Sequence, residues 1–246
     1  MLIFALEGVH GAGKTTLLEY FDDFIVNTCK KRRIPCLTDD FNAAFQATDF
    51  AKVGHMGSTS QAMGYLAHWL MKVRKFISEN PNACSVVIDR SLLSAAFYAE
   101  DEIDGERILK LLPKLHDDLA KEGHTVITVY LRRNIDTLRK HIHERLMGHP
   151  LGLESRKTAV IETDDNHLKA TLAKYEEYDK WDCVLDLETG IPISRPWRCV
   201  LLPDVKPQDD LETALTSLSR TLHWEINSWE LIHCVERDLP PEPSAI

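Results

Sequence analysis

The segment Gly8-Val9-His10-Gly11-Ala12-Gly13-Lys14-Thr15 constrains this chain more than any other. It reads Gly-x-x-x-x-Gly-Lys-Thr and follows directly on the apolar run Leu2-Ile3-Phe4-Ala5-Leu6. A strand, a glycine-rich turn and a helix start form the context in which such a loop holds phosphates. The glycines let the backbone curl without Cβ clashes, so successive N–H groups can point inward at anionic oxygens. A helix from Lys14 adds its positive dipole end, and Leu17, Leu18 and Phe21 give that helix an apolar face. Lys14 is expected to reach the β- and γ-phosphates, and Thr15 to offer its hydroxyl to Mg²⁺. The eight loop residues, with Thr16 after them, form the expected cradle for a nucleoside triphosphate, taken as ATP.

Alternation of apolar runs with longer helical patterns points to α/β architecture with a parallel sheet and helices on both faces. Strands are expected at Leu2–Leu6, Ile34–Leu37, Cys84–Ile88 and Thr125–Leu131. A fifth is sought after Trp181, where Cys183–Asp186 and Trp197–Leu202 are both strand-like; the second is taken as the core strand. Helical spacing marks Lys14–Cys29, Gln61–Ser78, Glu106–Glu122, Ile135–Met147, Asp165–Lys180 and Asp209–His223. The reading is therefore a five-stranded P-loop fold in one domain, residues 1–223, with a helical lid at about 139–165. The proline-containing residues 224–246 are expected to be an extended or disordered tail.

Composition narrows the function classes. A formal charge of −9 argues against wide contact with a nucleic-acid backbone. The one dense basic run, Lys30-Lys31-Arg32-Arg33, reads as a solvated helix end. Six cysteines with no C-x-x-C pair suggest buried, reduced thiols. No stretch has the length of a membrane span, and the first strand begins at once, leaving no room for a signal peptide. The expectation is a soluble cytoplasmic enzyme with no membrane or nucleic-acid partner.

Four features bear on where a phosphoryl group would go. Asp89 closes an apolar strand, where a carboxylate can face bound Mg²⁺, although it could equally cap the next helix. Arg90 follows it and could stabilise charge on a transferring group or hold an acceptor oxygen. Asp39 and Asp40 sit at the carboxyl end of the second strand, and either could serve as a general base. The stretch Leu138 to Arg145 is a basic helical face leading into Gly148-His149-Pro150-Leu151-Gly152, a composition suited to a lid.

Together these residues resemble the deoxyribonucleoside kinases. Glu7 through Thr16 is similar to the loop of the herpesvirus-type thymidine kinases, and Ile88-Asp89-Arg90-Ser91-x-x-Ser94 resembles the family's Glu/Asp-Arg-Ser signature. The resemblance implies that Arg90 contacts the 5′-hydroxyl and phosphoryl region while Asp89 serves the metal. It also implies a base at the end of strand two with an aromatic residue five positions later, a spacing met by Asp40 and Phe45. Gln61 matches the glutamine whose amide reads the nucleobase edge. Tyr65, His68 and Ala95 match positions around the base pocket, with Met63 and Trp69 on the same helix. Ala95, where deoxycytidine and deoxyguanosine kinases carry Asp, favours room for a 5-methyl group and hence thymidine, with deoxycytidine a further candidate.

The chain departs from the family pattern at the lid. Arg145 matches one lid arginine, but His141 and Met147 stand where others are expected, and Glu154 is the candidate for holding the sugar 3′-hydroxyl. The resemblance also implies a homodimer and, through the loop, a viral source, with the host cell as its compartment. On this reading Lys14, Arg90 and Arg145 neutralise phosphoryl charge while Asp40 removes the acceptor proton. Thymidylate kinase is the nearest rival, but it would need an arginine after strand two to meet a monophosphate, where this chain has Asp39-Asp40-Phe41. A nucleotide-binding switch without catalysis is the rival from another class.

Overall fold

The computed structural model describes residues 1–28, 34–38, 59–99, 102–148, 163–186, 198–201 and 211–238. Strand β1 (Leu2–Glu7) leads into α1 (Lys14–Thr28), then β2 (Cys36–Leu37) and α2 (Thr59–Glu79). Strand β3 (Ser85–Asp89) is followed by the short α3 (Leu93–Phe97), α4 (Glu102–Lys121) and β4 (Thr125–Arg132). Then come α5 (Ile135–Gly148), α6 (Asp165–Glu177), β5 (Cys183–Asp186), β6 (Arg198–Leu201) and α7 (Leu211–Asp238).

The six strands form one sheet in the order β2-β3-β1-β4-β5-β6, with every pairing parallel. This is the parallel α/β architecture expected, with one correction. Both candidate segments after Trp181 are strands: Cys183–Asp186 pairs with β4, and Arg198–Leu201 sits outside it at the edge. The apolar run Cys183-Val184-Leu185 is buried, which is why it takes the inner place. Cys84, expected inside a strand, lies just before β3 and is exposed.

All six residues of β1 and all five of β3 are buried. A strand buried along its whole length is covered on both faces, which explains its unbroken apolar sequence. Helix α1 packs with α7, where the Tyr20 and Thr216 hydroxyls lie 2.7 Å apart. Helix α3 packs with α2, α4 and α6. Helix α7 runs to Asp238 rather than stopping at His223, so residues 224–238 are helical where a tail was expected. Leu222, Glu225 and Ile226 are buried, and Ser85 donates to Glu230 at 2.5 Å. Ile226 thus continues the helix's inward face past His223, while Trp224, Leu231 and Ile232 are exposed. No helix among the described residues is long and apolar enough to cross a membrane.

The order of strands sets the site. Chain segments leave β1 first toward β2 and later return toward β4, so the crevice outside its carboxyl end is where a parallel sheet binds ligands. Leu6 and Asp89 are in register, which brings Gly8 and Arg90 to the same sheet edge.

Candidate active site

The loop after β1 adopts a backbone that side chains would obstruct. Gly11 has φ +80°, and a Cβ there would lie 3.0 Å from both Ile142 Cγ1 and the Leu138 carbonyl of α5. A Cβ on Gly8 would come within 2.9 Å of the Leu131 carbonyl at the end of β4. The loop is therefore pressed between β4 and α5, and those two glycines are what allow it. Two further contacts hold it there: His141 Nδ1 lies 2.9 Å from the Gly11 carbonyl, and Arg133 Nε donates to the Ala12 carbonyl at 3.4 Å.

Lys14 is buried, with its ammonium donating to the Gly8 carbonyl at 2.7 Å and to Val9 at 3.1 Å. Val9 and Ala12 are buried, whereas Thr15 and Thr16 open to solvent at the first turn of α1. Thr15 Oγ1 donates to Asp89 Oδ2 at 2.6 Å, while Asp89 Oδ1 is buried with no hydrogen-bond partner. Leaving a carboxylate oxygen buried and unpaired is costly. A hydroxyl and a carboxylate side by side are hard oxygen donors of the kind that hold Mg²⁺ with its waters. The residues therefore fit that ion.

Arg90 has φ +66° and is the only non-glycine residue in the left-handed region among those described. Such a conformation costs about 1–3 kcal/mol and persists only where its surroundings enforce it. Here the Arg90 N–H donates to the Leu6 carbonyl at 2.9 Å, and the Arg90 carbonyl accepts from Trp69 Nε1 at 3.0 Å. The next residue is held too, its carbonyl accepting from the Tyr65 hydroxyl at 3.0 Å. The guanidinium stands over the Tyr98 ring, 5.2 Å from its centroid, and reaches Ser94 Oγ and His10 Nδ1, each at 3.4 Å. Arginine only donates, so in that contact His10 Nδ1 is the accepting atom. His10 in turn meets the Tyr98 ring edge-on at 4.8 Å.

Beneath these groups lies Glu7, fully buried. Its Oε1 accepts from the Ser91 N–H at 2.7 Å, and from the Ser91 and Ser94 hydroxyls at 2.8 Å each. Its Oε2 accepts from the Tyr175 hydroxyl at 2.8 Å and from the Gly8 N–H at 3.3 Å. Burial, and the carboxylate beside it, push the Tyr175 phenol well above its usual range, so it stays a donor. Burial raises Tyr98 as well, against the opposing pull of Arg90.

The structure thus gathers the loop residues Gly8 to Thr15 with Asp89 and Arg90 at one sheet edge. Tyr65 is there too, but its hydroxyl is spent on the Ser91 carbonyl. Ala95 is fully buried in α3, and His68 is half-buried on α2. Gln61 and Arg145 belong to α2 and α5. Asp40, Phe45 and Glu154 lie outside the described residues, as do Asp39 and most of the lid loop. Sequence reasoning gave no role to Glu7, Tyr98, Arg133 or Tyr175. A signal existed only for Glu7: a lone charge closing an otherwise apolar strand has to be satisfied by donors from elsewhere.

No family model matches the sequence, and no curated protein matches it. Among solved structures the chain is similar to deoxyadenosine kinase from M. mycoides with bound dATP. That likeness has 16% identity, spans 91% of this chain and all of that one, and has a TM-score of 0.45. It is also similar to the protein APE1195, at 14% identity over 92% of this chain and 95% of that one, with a TM-score of 0.41.

Proposed function

We propose that this chain transfers the γ-phosphoryl group of ATP to the 5′-hydroxyl of a deoxyribonucleoside, with thymidine the first candidate and deoxycytidine the second. One observation carries the reading: Lys14, the Thr15–Asp89 pair and the Arg90 guanidinium converge on one sheet edge. Cations and amides on one side and an enforced arginine on the other suit phosphoryl transfer, where catalysis is chiefly positioning and charge stabilisation.

Loop amides and Lys14 hold the β- and γ-phosphates, and Lys14 exchanges its carbonyl partners for phosphate oxygens. Thr15 and Asp89 would hold Mg²⁺, which when bound neutralises charge on the β- and γ-oxygens. The 5′-oxygen attacks phosphorus, the bond from the γ-phosphorus to the β–γ bridging oxygen breaks, and ADP leaves. Asp40 accepts the hydroxyl proton. Arg90 and Arg145 donate to the oxygens of the transferring group. Gln61, Tyr65, His68, Phe45 and Ala95 surround the base, and Glu154 holds the sugar. Thymidine is preferred because Ala95, fully buried in α3, is small at the position the resemblance assigns to the base pocket.

The test is ADP release with thymidine, deoxycytidine, deoxyadenosine, deoxyguanosine and thymidine monophosphate as acceptors. Transfer to thymidine is expected. Activity confined to the monophosphate would replace the proposal with a thymidylate kinase, and ATP binding without transfer to any acceptor would replace it with a nucleotide-binding switch.

A further inference from the structure

We propose that Glu7 is the positioning residue that sets the guanidinium of Arg90, a role that rests on the phosphoryl-transfer reading of the same site. Glu7 is fully buried, and its two oxygens take five hydrogen bonds from three separate parts of the chain. Those parts are Gly8 at the start of the phosphate loop, Ser91 and Ser94 flanking the start of α3, and Tyr175 of α6. Burying a carboxylate is costly, and only a full set of donors compensates it.

The geometry singles out Arg90. Its own N–H is fixed to Leu6 on β1, and the next residue is fixed through both its N–H and its hydroxyl to Glu7. The backbone between these anchors takes φ +66°. Ser94, whose hydroxyl is tied to the same Glu7 oxygen, is also one of the groups the guanidinium touches. One carboxylate therefore fixes the backbone on which Arg90 turns and a wall against which its head rests. Tyr175 adds α6 to the same hub.

Glu7→Gln keeps size and shape but cannot keep the pattern. Whichever way the amide turns, its NH₂ group faces a backbone N–H, that of Gly8 or that of Ser91. If Glu7 acts through Arg90, Glu7→Gln lowers kcat about tenfold and leaves KM for ATP within about twofold, the pattern of a loss felt in the transition state. The decisive measurement is the cycle with Arg90→Ala. In that background Glu7→Gln should cost nothing further, because the group it positions is gone. Equal losses with and without Arg90 would overturn the proposal and make Glu7 a general support of the fold.

If the wild-type chain transfers phosphate to no acceptor, the reading of the site fails while the positioning claim is still decided by a crystal structure of Glu7→Gln. Arg90 leaving the left-handed region, or its guanidinium leaving His10, supports the claim. An unchanged Arg90 overturns it. Should Glu7→Gln fail to fold, Ser91→Ala removes one of the three bonds to Oε1 and carries the same cycle and the same structural comparison.

Discussion

On the proposed function the site has a donor side and an acceptor side, and the two are held by different kinds of contact. On the donor side the Lys14 ammonium is held from within its own loop, bonding to carbonyls five and six residues before it, and the Ala12 N–H bonds to the carbonyl of Val9. His141 and Arg133 only brace the loop from outside. On the acceptor side Arg90 has few near neighbours in sequence. Its partners come from Leu6 on β1, Trp69 on α2 and His10 in the loop, and Ser91 beside it is held by Glu7 and Tyr65. The bonds of the Lys14 ammonium to Gly8 and Val9 thus lie within one short segment, whereas the Arg90 geometry is a property of the whole sheet edge. A substitution on the first side should disturb chemistry alone, and one on the second should disturb chemistry and stability together.

The sharpest test of this contrast is Lys14→Met. It removes the cation that meets the phosphates and keeps the apolar stem, so turnover should fall about 10²–10³-fold, the usual loss of one transition-state donor. The thermal midpoint should hardly move, because the lost bonds lie within one loop. ADP release and a melting curve measured on the same preparation decide it. A large drop in midpoint would show that the loop, too, is held up by the fold.

Trp69→Phe probes the other side with a smaller effect. It leaves a buried ring in place but takes the indole N–H away from the Arg90 carbonyl. A carbonyl deprived of its donor there should cost about 1–3 kcal/mol of stability, seen as an earlier urea midpoint at unchanged slope. Turnover should fall with it, since that bond also helps enforce the left-handed Arg90. Stability falling while turnover stays level would break the link between the clamp and the chemistry.

The same contrast explains what was legible in the sequence. Gly8 to Thr15 announced itself because its chemistry lies in consecutive residues, and the buried strands announced themselves as unbroken apolar runs. The arrangement of Asp89 and Arg90 at the loop's mouth followed once β1 and β3 were recognised as strands of one parallel sheet. Tyr98 and Tyr175 were silent, and Glu7 showed only as a lone charge closing an apolar strand, because their partners are distant in sequence, as in Tyr175 to Glu7 across 168 positions. Tyr65 and Trp69 follow Gln61 on one helix, where the resemblance offered them for the base pocket or the core, but nothing in the sequence says that their polar atoms bond to the Ser91 and Arg90 carbonyls. The extension of α7 was in fact legible: Leu222 and Ile226 continue at i and i+4 past His223, and the prolines that suggest a tail begin only at Pro240.

The two sides meet again where α5 and α6 join, and there the smallest effect is expected. Helix α5 rests on the loop through His141, and α6 reaches Glu7 through Tyr175. Arg139 of α5 joins them by donating to both oxygens of Asp165 at the start of α6, each at 2.6 Å, while Lys169 stands 3.0 Å from the same carboxylate. These hydrogen bonds, that to Arg139 first, bring the Asp165 carboxyl down from 3.8 to about 2. A carboxyl lowered on folding contributes stability that is complete above its unfolded value and is lost as pH falls through the folded one. The gap in melting temperature between wild type and Asp165→Asn should therefore be constant near neutral pH, then shrink from about pH 4 toward pH 2. Because both side chains are partly exposed, the gap should be small and should narrow in high salt. A gap that survives at low pH would mean that the two helices are joined by packing and not by charge. The junction of α5 and α6 would then hold under conditions that neutralise Asp165, and the Arg139–Asp165 pair would add nothing to it.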